Sequence, residues 1–186
     1  IAGEIARLTT LELQSKVEGS PRAECMDAVY QQVLGKLRVQ TEYAFAKGSM
    51  VFKPYITPDG TIAVQYIQAD MFFPLDFDSE KMTRCAFLDQ FRKGNEIYSR
   101  IELYSLSGDV LSIKNHVFIA RTEGILGTEV PIGTVPRWAE LAEEMQFSGI
   151  QKLPIGYFTV PLGNNRDSGS PLGVSVYSRA IKQIED

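Results

Sequence analysis

Three runs rich in β-branched and aromatic residues, 83–91, 96–106 and 110–120, are separated only by the turn sequences Lys93-Gly94-Asn95 and Ser107-Gly108-Asp109. Connections this short join antiparallel neighbours, because a parallel crossover needs a dozen or more residues. The runs therefore predict a three-stranded antiparallel meander, and the rest of the chain has to fold around that sheet.

Upstream the hydrophobic period is that of a helix. Ile1, Ile5, Leu8 and the Leu11/Leu13 pair recur near helical spacing and predict an amphipathic helix over the first sixteen residues, ending near Gly19. Ser20-Pro21 is a start signal, with serine placed to cap free N–H groups and proline suited to the first helical position. A long helix is expected over 21–47, closed by Gly48, with Gly35 marking a kink or a close packing point. From Ser49 the period becomes two, and the turn Thr57-Pro58-Asp59-Gly60 between two apolar runs predicts a β-hairpin.

Downstream of the meander, Val135-Pro136-Arg137-Trp138 predicts a short helix near 136–144, followed by short strands at 147–150 and 155–160. A polar loop, 163–170, leads into a last helical pattern through Val174, Tyr177, Ile181 and Ile184, with Ser170 as its cap. The fold class expected is α+β: an antiparallel meander flanked by N-terminal helices, one of them long, and a C-terminal helix. With 186 residues and 44% hydrophobic content, one domain is expected, or at most a core with one appended subdomain. It comprises a helical arm at 1–47, a mainly β body at 48–162, and a loop with the start of a helix at 163–186. The chain begins and stops inside helical patterns, and is expected to be a fragment of a longer protein.

Charge and cysteine content narrow the function classes. A net charge of −4 is the wrong sign for a domain that grips phosphates with lysine and arginine. Arg84, Arg92, Lys93, Arg100, Lys114 and Arg121 alternate with acidic residues and read as solvated sheet faces. Cys25 and Cys85 fit no metal-ligand spacing and read as reduced, buried thiols. With no long apolar run and no signal-peptide pattern, the reading is cytosolic.

Few residues carry candidate chemistry. Asp76 and Asp78 would share a face of an extended backbone, but a calcium loop begun at Asp76 would meet Lys81 and Phe87 where it needs glycine and glutamate, so a solvated turn is the better reading. His116 is the sole histidine and, by alternation, a strand surface or edge residue. No nucleophile elbow, phosphate loop or dinucleotide fingerprint is present. No catalytic, cofactor-binding or metal-binding residue is assigned, and no cofactor. Met71-Phe72-Phe73-Pro74, with Tyr66 before it, is either core or an exposed anchor, core being the commoner fate. The environments of Gln65, Gln68 and Asp70 stay open.

Three stretches, Ala2-Gly3-Glu4-Ile5-Ala6-Arg7-Leu8, Gln68-Ala69-Asp70-Met71-Phe72-Phe73-Pro74 and Ser170-Pro171-Leu172-Gly173-Val174-Ser175-Val176-Tyr177, lie in an order and at a spacing that resemble the portal proteins of long-tailed phages infecting Gram-positive bacteria. The likeness runs over nearly the whole chain and is closest to the outward-projecting wing. It implies a structural protein of the virion, made in the bacterial host cytoplasm. Its subunits form a dodecameric ring at one capsid vertex, through which double-stranded DNA is packaged and ejected. The implied partners are sister subunits, the major capsid and scaffolding proteins, the terminase large subunit and the head–tail adaptor. Direct DNA contact by this segment is not implied, and the family supplies no catalytic residue. The last helical pattern would lead into the stem, which this segment lacks, so the segment alone is not expected to form the ring.

Two other classes compete. A small hydrolase or metal-dependent enzyme would unite Asp76, Asp78 and His116 in one pocket, and separation across the sheet would sink it. A virion or host adaptor would use the same α+β module for protein contacts alone.

Overall fold

A computed structural model describes residues 1–79, 81–164, 167–178 and 180. In chain order its elements are α1 (Ala2–Thr10), α2 (Ala23–Lys47), β1 (Ser49–Ile56), β2 (Ile62–Gln68), β3 (Phe72–Asp78), β4 (Lys81–Lys93), β5 (Glu96–Ser107), β6 (Val110–Ala120), β7 (Thr128–Val130), β8 (Glu144–Ser148) and β9 (Gly156–Thr159). The class is α+β, with antiparallel sheets throughout. Within the stretch read from sequence as one domain, the chain sorts into two compact units, Ile1–Asp70 with Pro154–Asp186, and Met71–Leu153.

In the first unit, α1 is shorter than its apolar spacing predicts. The Thr9 and Thr10 hydroxyls donate to the carbonyls of Ile5 and Ala6, and Leu11 and Leu13 stay exposed, so no packed face carries the helix further. What α1 buries is small, Ala2 and Ala6, against Phe45 and Val160. α2 starts at Ala23, not at Pro21, and Ser20 contributes its carbonyl to the Ala23 N–H in place of a side-chain cap. The connecting segment is tied back by the Asp27 carboxylate, which accepts the Val17 N–H at 2.7 Å and lies below its usual pKa chiefly because of that bond. Open space surrounds Gly35, so packing does not require glycine there.

The helix closes as expected at Gly48, left-handed at φ +97, whose N–H returns to the Ala44 carbonyl. β1 and β2 form the expected hairpin, with Ile56 opposite Ile62 across the Thr57–Thr61 turn, and β9 adds to the other side of β1. The predicted C-terminal helix does not form over its described part. Ser178 and Ala180 donate to Ser175 and Tyr177, giving turns, and residues 179 and 181–186 lie outside the described residues.

The second unit holds the predicted meander as β4-β5-β6, with Lys93 opposite Glu96 and Ser107 opposite Val110 at its tight turns. The sheet is wider than expected, in the order β3-β4-β5-β6-β7 with β8 also on β6. Phe72-Phe73-Pro74 and the Asp76/Asp78 stretch form strand β3, so Asp76 and Asp78 are not in a solvated turn. Alternation puts Phe72 inside, 1% exposed and 5.4 Å from the Phe87 ring, and Phe73 outside.

The predicted helix at 136–144 is instead a 3-10 turn over Ile132–Thr134 followed by further turns, in which Trp138 and Leu141 donate three residues back. Only these three-residue bonds are made there, and no α-helical turn follows them. Ile132, Val135 and Trp138 still pack together, on Val117 with Phe91 and Tyr98 at the margin. The strand expected at 147–150 begins earlier, as β8.

Candidate functional site

Parts of all three motif stretches that carry the portal resemblance meet at the C-terminal end of α2. Gly173 and Gly48 touch backbone to backbone: a Cβ on Gly173 would lie 2.0 Å from the Gly48 carbonyl oxygen, and one on Gly48 2.4 Å from that of Gly173. Neither position therefore admits a side chain. Around this contact the Tyr157 hydroxyl donates to the Pro171 carbonyl at 2.9 Å, and the Val176 N–H to the Phe45 carbonyl at 2.9 Å. The Ala2 N–H reaches the Tyr177 hydroxyl at 3.3 Å, and Val176 and Tyr177 pack on the Ala2/Ala6/Phe45/Val160 core. Gln68 faces Met50 across β1 and β2, and Asp70 forms an ion pair with Lys47 at 2.7 Å. Beside this junction an apolar groove of about 410 Å³ is lined by Leu13, Leu37, Phe45, Met50, Phe52 and Phe158, among others.

In the second unit a part-buried polar cluster pins the chain between β7 and β8 onto the sheet. Asp89 accepts from the Trp138 indole at 3.0 Å and from Arg137 at 3.2 Å. Arg100 donates to the Asn115 side chain at 2.9 Å and lies 3.6 Å from Glu102. Asn115 in turn donates its side-chain amide to the Ala142 carbonyl and its backbone N–H to the Glu143 carbonyl, both at 2.8 Å. Such a network supports a unique geometry only when its members are nearly all satisfied, and of its fully buried side-chain atoms only Arg100 Nε lacks a partner. Burial raises the Tyr104 hydroxyl far above its ordinary pKa, with the Glu102 carboxylate adding to the effect. The Arg100 side chain is 14% exposed, which overturns the reading of this arginine as part of a solvated face.

The register keeps the nominated acids and histidine apart. Asp76 and Asp78 are on β3 and His116 is on β6, three strands away and thus about 14 Å by strand spacing alone. Asp76 pairs with Arg84 at 2.7 Å, Asp78 lies opposite Lys81, and His116 Nδ1 is 2.7 Å from Glu129. Among the described residues no group of three or more histidine, cysteine, aspartate or glutamate side chains is placed to hold a metal. Cys85 is buried as expected, but Cys25 is exposed, because the first turns of α2 bury only Ala23. Gln65 is exposed and Gln68 half-buried.

The two sides of the six-stranded sheet end differently. β3 carries Pro74 and two register shifts, whereas β8 has five regular, exposed residues. Where β7 stops and β8 begins, a cleft of about 520 Å³ opens beside β6, lined by Glu129, Glu143 and Glu144 with Lys114 and His116. Hydrogen bonds from Gln146, Lys114 and Ser112 hold the Glu144 carboxyl below its usual pKa. No sequence pattern nominated this cleft, because its residues come from three separate segments.

No protein-family model matches the chain, and no curated protein matches it. Among the described residues no helix is long and apolar enough to cross a membrane.

Proposed function

We propose that the chain is an assembly module, the wing of a phage portal subunit, working through protein contacts at the capsid vertex and not through catalysis. What carries the reading is the junction at the end of α2, where parts of the Ala2–Leu8, Gln68–Pro74 and Ser170–Tyr177 stretches meet around the Gly48/Gly173 contact. Residues far apart in sequence that serve one backbone junction are what a shared scaffold needs, and a portal is a scaffold repeated around a ring. The separation of Asp76 and Asp78 from His116 removes the main ground for a hydrolase or metal enzyme. The net charge of −4 suits a module that meets shell and sister subunits in place of DNA phosphates.

The test is the mass, by light scattering after size exclusion, of the complete gene product beside this segment. A large closed ring with a central channel, imaged by electron microscopy, is the expected result, with the segment alone monomeric or nearly so. A complete product that stays monomeric at every concentration and salt would overturn the portal reading.

A further inference from the structure

The far side of β8 is an open sheet edge. Pairing with β6 begins at the Asn115 N–H to Glu143 carbonyl bond, so alternation makes Ile113/Met145 and Leu111/Phe147 the hydrogen-bonded pairs. Glu144, Gln146 and Ser148 therefore turn their backbone N–H and C=O groups outward. Among the described residues no strand lies beyond them. An unpaired row of this kind is a template for an incoming strand unless something blunts it. β3 is blunted, by Pro74, by its register shifts and by the charged Asp76 and Asp78. β8 contains no proline, glycine or bulge, and it shows Met145 and Phe147 to solvent at 37% and 46% exposure.

The side chains around this edge specify what would fit. Met145 and Phe147 lie on one face, as the partners of Ile113 and Leu111. Glu144 is on the other, and the adjoining cleft sets Glu129, Glu143 and Glu144 against one lysine and one histidine. We propose that β8 binds an extended segment of a partner polypeptide as an added strand, with apolar side chains over Met145 and Phe147 and lysine or arginine on the other face, at the Glu144 end beside the acidic cleft. Backbone hydrogen bonds would give the affinity and the alternating side chains the selectivity.

The experiment is an NMR titration of the whole chain with a capped synthetic peptide alternating valine and lysine, beside one alternating valine and glutamate. Binding with a Kd of order 10⁻⁴ M is expected for the lysine peptide, since a short strand spends much of its contact energy on ordering. Shifts should concentrate on 110–114 and 144–148, and the glutamate peptide should bind about tenfold or more weakly. Gln146→Pro removes one outward N–H and leaves the β6 ladder whole, so binding should fall about tenfold with the circular dichroism spectrum unchanged. Should that variant fail to fold, Phe147→Thr, at an exposed site, should still weaken binding several-fold. Absence of shifts, shifts on β3 instead, equal binding of the two peptides, or unchanged binding by the variants would overturn the proposal. So would sedimentation showing a dimer of the chain that the Gln146→Pro variant abolishes, which would place a second copy on β8.

Discussion

β3 and β8 both bring large apolar side chains to the surface at the margins of one sheet, Phe73, Leu75 and Phe77 on β3 and Met145 and Phe147 on β8. Only β3 carries the devices that stop a sheet edge from pairing. Pro74 has no N–H to offer, the register shifts between Pro74 and Phe77 break the regular spacing of backbone groups, and Asp76 is engaged by Arg84. β8 has no proline and no register shift, although its single acid, Glu144, is likewise engaged, by Lys114. Its regularity comes from behind, where Asn115 fixes the chain at Ala142 and Glu143. Exposed apolar residues therefore do not by themselves mark an interaction edge; the state of the backbone between them decides.

The comparison breaks most completely if the support behind β8 is removed. Trp138 is 2% exposed, fills the core over Val117 and donates to Asp89. Trp138→Ala should cost about 4 kcal/mol, within the range for deleting a buried aromatic side chain. Urea denaturation would give the total, and hydrogen exchange should show protection lost first over β7, β8 and the turns between them. On the opposite margin, Phe72→Ala should cost about 3 kcal/mol through loss of the Phe87 contact and the cavity left behind. There exchange should rise in β3 while β8 stays protected. If both variants loosened both margins alike, the edges would be one cooperative unit and the comparison would fail.

A finer cut is Asn115→Ala. It removes the side-chain bonds to Ala142 and Arg100 while leaving the Asn115 N–H bonded to Glu143. Loss of one well-made buried link, with a guanidinium left less satisfied, should cost about 2 kcal/mol. Exchange should then quicken at 140–144 more than at 72–78.

Much of this contrast was invisible in the sequence, for reasons that can be named. The meander was legible because Gly94-Asn95 and Gly108-Asp109 sit between long alternating runs, and the Gly48 stop because glycine follows an unbroken helical pattern. β3 was missed because Pro74 reads as a break, although an edge strand tolerates proline. β8 was displaced and a helix expected before it because Val135-Pro136-Arg137-Trp138 has the form of a helix start, whereas the chain there makes only three-residue bonds and turns. The polar cluster was hidden in another way. Asp89, Arg100 and Asn115 are individually ordinary strand residues, and only the register, Asp89 to Arg100 and Glu102 to Asn115, puts them on one part-buried face. The motif junction was half visible: the three stretches stood out, but their meeting at Gly48 exists only in the folded chain.

The smallest effect concerns the electrostatic hold at the start of β8. Glu144 accepts from Gln146 and Ser112 and lies 3.4 Å from Lys114, and these contacts depress its pKa. A carboxyl whose folded pKa is lowered contributes its stability fully above the ordinary unfolded value and loses it as pH falls through the folded one. The attachment of β8 to β6 should therefore be unchanged from neutral pH down to the ordinary carboxylate range and weaken only below it. Amide shifts of Gln146 and Lys114, followed by NMR against pH, should move together with one midpoint below that range. Glu144→Gln should remove that midpoint while leaving the fold intact, since the group is exposed and the pair is screened by solvent. A midpoint at or above the ordinary range, or shifts at Gln146 and Lys114 that move independently, would mean that Glu144 does not hold this end of β8, and that the ladder to β6 and Asn115 suffice.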